Sequence, residues 1–148
     1  MASPLHIAVV GASVCDADVA ATAEEVGREL AEAGAIVICG GLGGVMEAAA
    51  RGARQAGGTT VGILPGPDRS AANPHLSVAV ATGLGEARNA VIVRAADAVI
   101  AIAGEYGTLS EIAFGLRIGR RVVGLGTWDL PDVEVADDAA DAVRRALR

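Results

Sequence analysis

Short runs of Val, Ile, Leu and Ala recur at residues 5–11, 35–39, 59–64, 77–81, 98–102 and 122–125, and stretches of helical periodicity fall between most of them. Runs of this length are short for helices and fit strands buried on both faces. Where strands alternate with helices long enough to act as crossovers, right-handed connections give an open sheet with helices on both sides. The expected fold is therefore a single doubly wound α/β domain. Its sheet is mostly parallel, with six to seven strands, the seventh a short stretch at 133–135. At 148 residues the chain has the size of one domain. A core of small aliphatic side chains suits such a sheet, since Tyr106, Phe114 and Trp128 are the only aromatics.

The helical segments carry their own punctuation. Asp16 or Asp18 can cap a helix whose apolar stripe runs Val19, Ala23, Val26, Leu30 and Ala33, and Gly34 stops it. After the glycine-rich turn 40–44, Met46, Ala49 and Ala53 share one helix face, while Glu47 and Arg51 pair at i, i+4 on another. Further helices are expected at 86–96, from about 108 to 118, and at 137–147. Three prolines and a glycine make 65–74 a loop.

Charge and composition exclude several classes. The net charge is −6, and all 12 basic side chains are arginine. Without lysine there is neither a pyridoxal phosphate Schiff base nor a P-loop. The acidic balance argues against nucleic acid as a partner, including a DNA-binding reading through DNA-processing proteins. Cys15 and Cys39, with two histidines at no ligand-like spacing, do not make a zinc site; no metal is expected, and the thiols are read as reduced. No apolar run reaches the ~20 residues of a membrane span. The first residues lack the basic region of a signal peptide, so a cytoplasmic protein with no membrane partner is expected.

Open parallel sheets bind ligands beyond the carboxyl ends of their strands, near the point where strand order reverses. That directs attention to the turns after strands one, two, four and five. The first holds Gly11, Ala12 and Ser13; the second holds Gly40, Gly41, Gly43 and Gly44; the fifth holds Gly104, Glu105, Tyr106, Gly107 and Thr108. Glycines allow close backbone approach, and a helix N-terminus presents unpaired N–H groups, a combination that binds anions. Each turn taken alone is also a plain tight connection. A dinucleotide fingerprint is absent: the first turn has one glycine where three are needed, and Gly40 stands where an acid would hold the ribose.

Thr108 and Glu111 have the spacing of a capping box, and the same spacing puts a carboxylate at the rim of the anion site. Arg88 falls in the first turn of a helix, where the dipole disfavours a cation. It faces either a ligand phosphate or Glu111, or it is a solvated side chain paired with an acid such as Glu86. Asn89 donates to a ligand or bonds to local backbone. Trp128 stacks on a base or anchors an interface. Asn73 and His75 form a lid or are ordinary loop polarity.

Together GGLGGVMEAAARGA (40–53), GEARNAVIV (85–93) and GEYGTLSEIA (104–113) resemble the LOG-like Rossmann proteins, often misnamed lysine decarboxylases. The likeness is nearest to the molybdenum cofactor carrier-like branch and runs from the first strand to about Trp128. It implies a Rossmann-like fold, a homodimer or homotetramer, and a nucleotide or molybdopterin-type ligand with no other cofactor required. LOG enzymes cleave a base from ribose 5-phosphate, using the motif P-G-G-x-G-T followed by x-x-E and an upstream arginine. The resemblance would make Gly104, Gly107 and Thr108 the phosphate cradle, with Glu111 catalytic and Arg88 its partner. The sequence departs from that pattern at Ala103 for proline, Glu105 for glycine, Ser110 for glutamate and Asn89 for lysine. Two functions follow: a carrier or sensor of a phosphorylated nucleotide or pterin, and a nucleoside 5′-monophosphate phosphoribohydrolase.

Overall fold

The computed structural model describes residues 3–148. Seven strands form one sheet in the order β4-β3-β2-β1-β5-β6-β7. They are β1 (His6–Gly11), β2 (Ile36–Cys39), β3 (Thr60–Leu64), β4 (Val78–Ala81), β5 (Ala98–Ile102), β6 (Arg121–Leu125) and β7 (Glu134–Val135). Every neighbouring pair is parallel. The expected doubly wound architecture is present, and the sheet is wholly rather than mostly parallel. β5 is buried at all five positions, whereas β4, at the sheet edge, is largely exposed.

The five α-helices of the described residues divide between the two faces. α1 (Ala17–Glu32), α2 (Val45–Gln55) and α5 (Ala139–Ala146) cover one face, where Val26, Leu30, Ala49 and Val143 pack on Ile7, Val9 and Ile100. α3 (Arg88–Ala95) and α4 (Tyr106–Arg117) cover the other, packing Ile92, Val93 and Ile112 on Ala8, Val10 and Val99. This division positions the site. The chain leaves β1 toward one face and β5, its neighbour, toward the other, so a crevice opens between their carboxyl ends.

Local sequence accounts for most boundaries. Asp16 caps α1 by accepting from the Val19 amide at 2.8 Å, and Gly34, at φ 80°, follows its last turn. Ala33, placed on the apolar stripe, is exposed there because it is already the C-cap. Glu47 meets Arg51 as expected, and Arg51 also reaches Glu24 of α1 at 3.4 Å. The helix expected at 86–96 opens as a 3-10 turn, Gly85–Ala87, so Arg88 is the first residue of α3. Cys15 and Cys39 are free thiols. No helix among the described residues is long and apolar enough to cross a membrane.

Small residues let α1 and α2 touch through their backbones. A Cβ on Gly27 would stand 2.0 Å from the Ala49 carbonyl oxygen, and one on Gly52 would stand 1.9 Å from that of Glu24. Relief requires the helices to separate. Gly52→Ala is expected to cost about 2 kcal/mol. A thermal melt should register that as a Tm lower by about 5 °C.

Candidate ligand-binding site

A cavity of about 470 Å³ lies in the crevice. Residues Val10, Gly11, Ala12, Ser13 and Val14 line it from the end of β1, Gly40, Leu42 and Met46 from the β2–α2 connection, and Pro65 from the end of β3. The opposite wall is Glu86, Arg88 and Asn89 around the start of α3, with Glu105, Gly107, Thr108 and Glu111 at the start of α4. Of the residues singled out in the sequence, Gly11, Ala12, Ser13, Gly40, Arg88, Asn89, Glu105, Gly107, Thr108 and Glu111 are brought together. Gly41, Gly43, Gly44, Gly104 and Tyr106 are not on the cavity wall. Val10, Val14, Leu42, Met46, Pro65 and Glu86 were not among the site candidates. Pro65 had a signal, since β3 neighbours β2 and its end must open at the same edge.

The glycines of the 40–44 turn serve chiefly to bring chain segments close. Gly44 has a φ of 61°, and a Cβ there would lie 2.3 Å from the Ala12 carbonyl oxygen. That oxygen accepts the first amide of α2, Val45 N–H, at 3.1 Å. One N–H of the α2 terminus is thus occupied by the protein itself. At Gly40 a Cβ would stand 2.7 Å from an Arg88 guanidinium nitrogen, so the missing side chain is what lets Arg88 extend across the crevice.

Arg88 is buried, at 8% exposure, and its hydrogen bonds run to neutral acceptors. Its Nε donates to the Ile63 carbonyl at 2.9 Å, one terminal nitrogen to the Gly40 carbonyl at 3.4 Å, and the other to Asn89 Oδ1. The solvated pairing with Glu86 is therefore not what forms. Among the described residues no carboxylate closes an ion pair with Arg88, so its charge has no contact counter-ion. Burial lowers its pKa, against the pull of Glu111, Cys39 and Glu86. Asn89 is committed to Arg88 rather than to local backbone.

Glu111 lies on the same wall as Arg88 at 7% exposure, and among the described residues no hydrogen bond reaches its carboxyl. Burial pushes it up to about 8, with the Arg88 guanidinium pulling the other way. The group is therefore mainly neutral at pH 7. The capping-box reading is corrected here. α4 starts at Tyr106, two residues earlier than expected, with Glu105 as N-cap, so Thr108 is an interior, buried helical residue and Glu111 lies one turn deeper. Thr108 and Glu111 share the inward face because they are three residues apart on a helix. Burial likewise pushes the Cys39 thiol, at the end of β2, up to about 11.

The turn before α4 is held at three points. Ala103 N–H donates to the Leu125 carbonyl at 3.0 Å, Thr127 Oγ1 donates to the Ala103 carbonyl at 2.6 Å, and Trp128 Nε1 donates to the Glu105 carbonyl at 3.1 Å. Ala103 has a φ of 48° and Gly104 one of 100°. Proline, which the resembled motif carries at this place, cannot take a positive φ, so the turn follows a path of its own. Ala103→Gly is expected to relieve about 1 kcal/mol of backbone strain. The check is a Tm higher by about 3 °C. Trp128 stacks on Tyr106, with ring centroids 5.9 Å apart, and buttresses this turn from outside the cavity.

Asn73 and His75 do not form a lid over the cavity. Asn73 is buried, donates from Nδ2 to the Leu42 carbonyl at 2.9 Å and accepts the His75 amide at 3.0 Å. With its own amide on the Gly41 carbonyl, it ties the proline-rich loop to the 40–44 turn.

The profile of the SLOG cluster4 family matches residues 4–146, nearly the whole chain. The chain belongs to the SLOG cluster4 family. This SLOG protein superposes on the molybdenum cofactor binding protein of Rippkaea orientalis with a TM-score of 0.92 at 31% identity, covering 97% of this chain and 95% of that one. The molybdenum cofactor carrier protein of Chlamydomonas reinhardtii gives a TM-score of 0.85 at 31% identity over 98% and 97% of the two chains. A probable cytokinin riboside 5′-monophosphate phosphoribohydrolase of Oryza sativa subsp. japonica is 35% identical over 111 residues. That match spans 70% of this SLOG chain and 45% of the rice protein. The family, the Rossmann-like fold and a ligand-binding role follow.

Proposed function

We propose that this protein binds a small phosphate-bearing ligand, a nucleotide or a molybdopterin-type pterin, as a carrier or sensor. One observation carries the reading: Arg88 is buried against a cavity, bonds to neutral acceptors and lacks a contact counter-ion among the described residues. A buried cation bonded only to neutral acceptors is costly, and an anion brought by a ligand supplies the missing charge. The unsatisfied N–H groups at the start of α4 favour the same anion. The names of the Rippkaea and Chlamydomonas proteins, which refer to binding or carrying the molybdenum cofactor, support a pterin.

A second reading, hydrolysis of the N-glycosidic bond of a nucleoside 5′-monophosphate, is favoured by Glu111 and by the likeness to the rice enzyme. A carboxyl that holds its proton at pH 7 suits general-acid work better than electrostatic stabilisation of a cation. In that reaction the bond from C1′ to the base breaks and its electron pair leaves with the base, which takes the Glu111 proton. Water adds at C1′ and its proton returns to Glu111.

A panel of purine and cytokinin nucleoside 5′-monophosphates, tested with wild type and Glu111→Gln, separates the two. Thermal stabilisation by a nucleotide or pterin without base release is the outcome expected for a carrier. Base release by wild type that the variant loses overturns the carrier reading in favour of the hydrolase.

A further inference from the structure

The cavity is an unusual place for a doubly charged anion. Arg88 brings one positive charge, while Glu86 and Glu105 both line the wall with exposed side chains. Glu105 lines the cavity at the start of α4, where it is the N-cap residue, and among the described residues no side chain caps that terminus. Its place is fixed by the fold. Thr127 and Trp128 hold the carbonyls of Ala103 and Glu105, and Ala103 N–H is held by β6, so the backbone beneath Glu105 is tethered on both sides. A helix N-terminus favours an anion, and here the protein has placed one of its own at that end. Glycine would leave the terminus free for a ligand.

Resting on the reading of the cavity as an anion site, we propose that Glu105 sets the charge its ligand carries there. It selects a singly charged phosphate, such as a diester, over the dianion of a free phosphate monoester. The physical basis is Coulombic. A carboxylate sharing the cavity wall with the ligand's anionic group, in a partly solvated site, weakens binding by about fivefold for each negative charge on the ligand. The effect therefore compounds with charge: none for a neutral nucleoside, about fivefold for a diester, about 25-fold for a dianionic monoester. Shape and hydrogen bonding affect all three alike.

The experiment measures dissociation constants by titration calorimetry at pH 8 and low salt, for wild type and Glu105→Gln. The probes are a nucleoside, its 5′-monophosphate and the methyl diester of that phosphate. Glu105→Gln is expected to leave the nucleoside unchanged, to tighten the diester about fivefold and to tighten the monoester by roughly the square of that factor. High salt should shrink both gains. Equal changes for diester and monoester, or none, overturn the role of Glu105 while leaving the anion site standing. Binding of neither charged probe by either protein overturns the anion site, and the proposal falls with it. Glu105 is exposed, and Gln keeps its shape, so folding of the variant is checked by an unchanged melt.

Discussion

Arg88→Met is expected to weaken binding of a nucleoside 5′-monophosphate by about 100-fold or more while leaving the ligand-free protein folded. The two halves of that result have separate causes. In the free protein Arg88 is buried and bonded to the Ile63 and Gly40 carbonyls and to Asn89, all neutral. Removing it leaves those acceptors without donors, at about 1 kcal/mol each. It also removes a charge whose burial costs several kcal/mol. The terms oppose, and Tm should stay within a few degrees. In the complex the balance differs, because the ligand anion loses the one cation that lines the cavity among the described residues. Calorimetry that gives the variant wild-type affinity would remove Arg88 from the site. A collapse of Tm would instead make it a structural residue.

Glu111→Gln is expected to raise stability at alkaline pH and to change it little near pH 5. The sign follows from linkage. The carboxyl ordinarily titrates near 4.5 and is pushed up to about 8 in the fold. Between those values the folded protein holds a proton that the unfolded chain has released, so stability falls as pH rises through this window. Above pH 8 both states are ionised and the loss is complete. Glutamine has no proton to lose, so the variant escapes the decline. At pH 9 it should melt about 10 °C higher than wild type, since a shift of this size is worth several kcal/mol. Melts across pH 5–9 that run parallel for the two proteins would show an ordinary carboxylate at Glu111. The same linkage affects binding. Above pH 8 the Glu111 carboxylate competes with a ligand anion for Arg88, and wild-type affinity for phosphate should decline there while the Glu111→Gln variant stays level.

Much of the fold was legible because it depends on local pattern. Strand segments at 98–102 and helix signals such as Asp16 and Gly34 are written in consecutive residues, and a chain that alternates strand and helix has few ways to bury both faces of a sheet. Site candidates on turns were legible for the same reason. Gly11 ends a strand, Gly40 and Glu105 follow one, and strand ends in a parallel sheet share one edge. The misreadings arise where one pattern serves two structures. Thr108 and Glu111 fit a capping box and also an inward helical face, and the start of α4 at Tyr106 selects the second. Asn73 looked like loop polarity or a lid and proved to be a buried tie to the 40–44 turn.

The sequence by itself determined that six to seven short segments would form one doubly wound sheet. It also determined that small residues would crowd the turns at its carboxyl edge and that lysine chemistry was absent. Only the tertiary structure decided which of those turns face the cavity, because that depends on the order β2-β1-β5 and on α1 and α4 leaving toward opposite faces. It alone decided the states of Arg88 and Glu111. Sequence assigns each a charge. Burial against Ile63, Gly40 and the packed face of α4 leaves the arginine without a contact counter-ion among the described residues and raises the pKa of the glutamate, because desolvation of a carboxyl is a property of its surroundings.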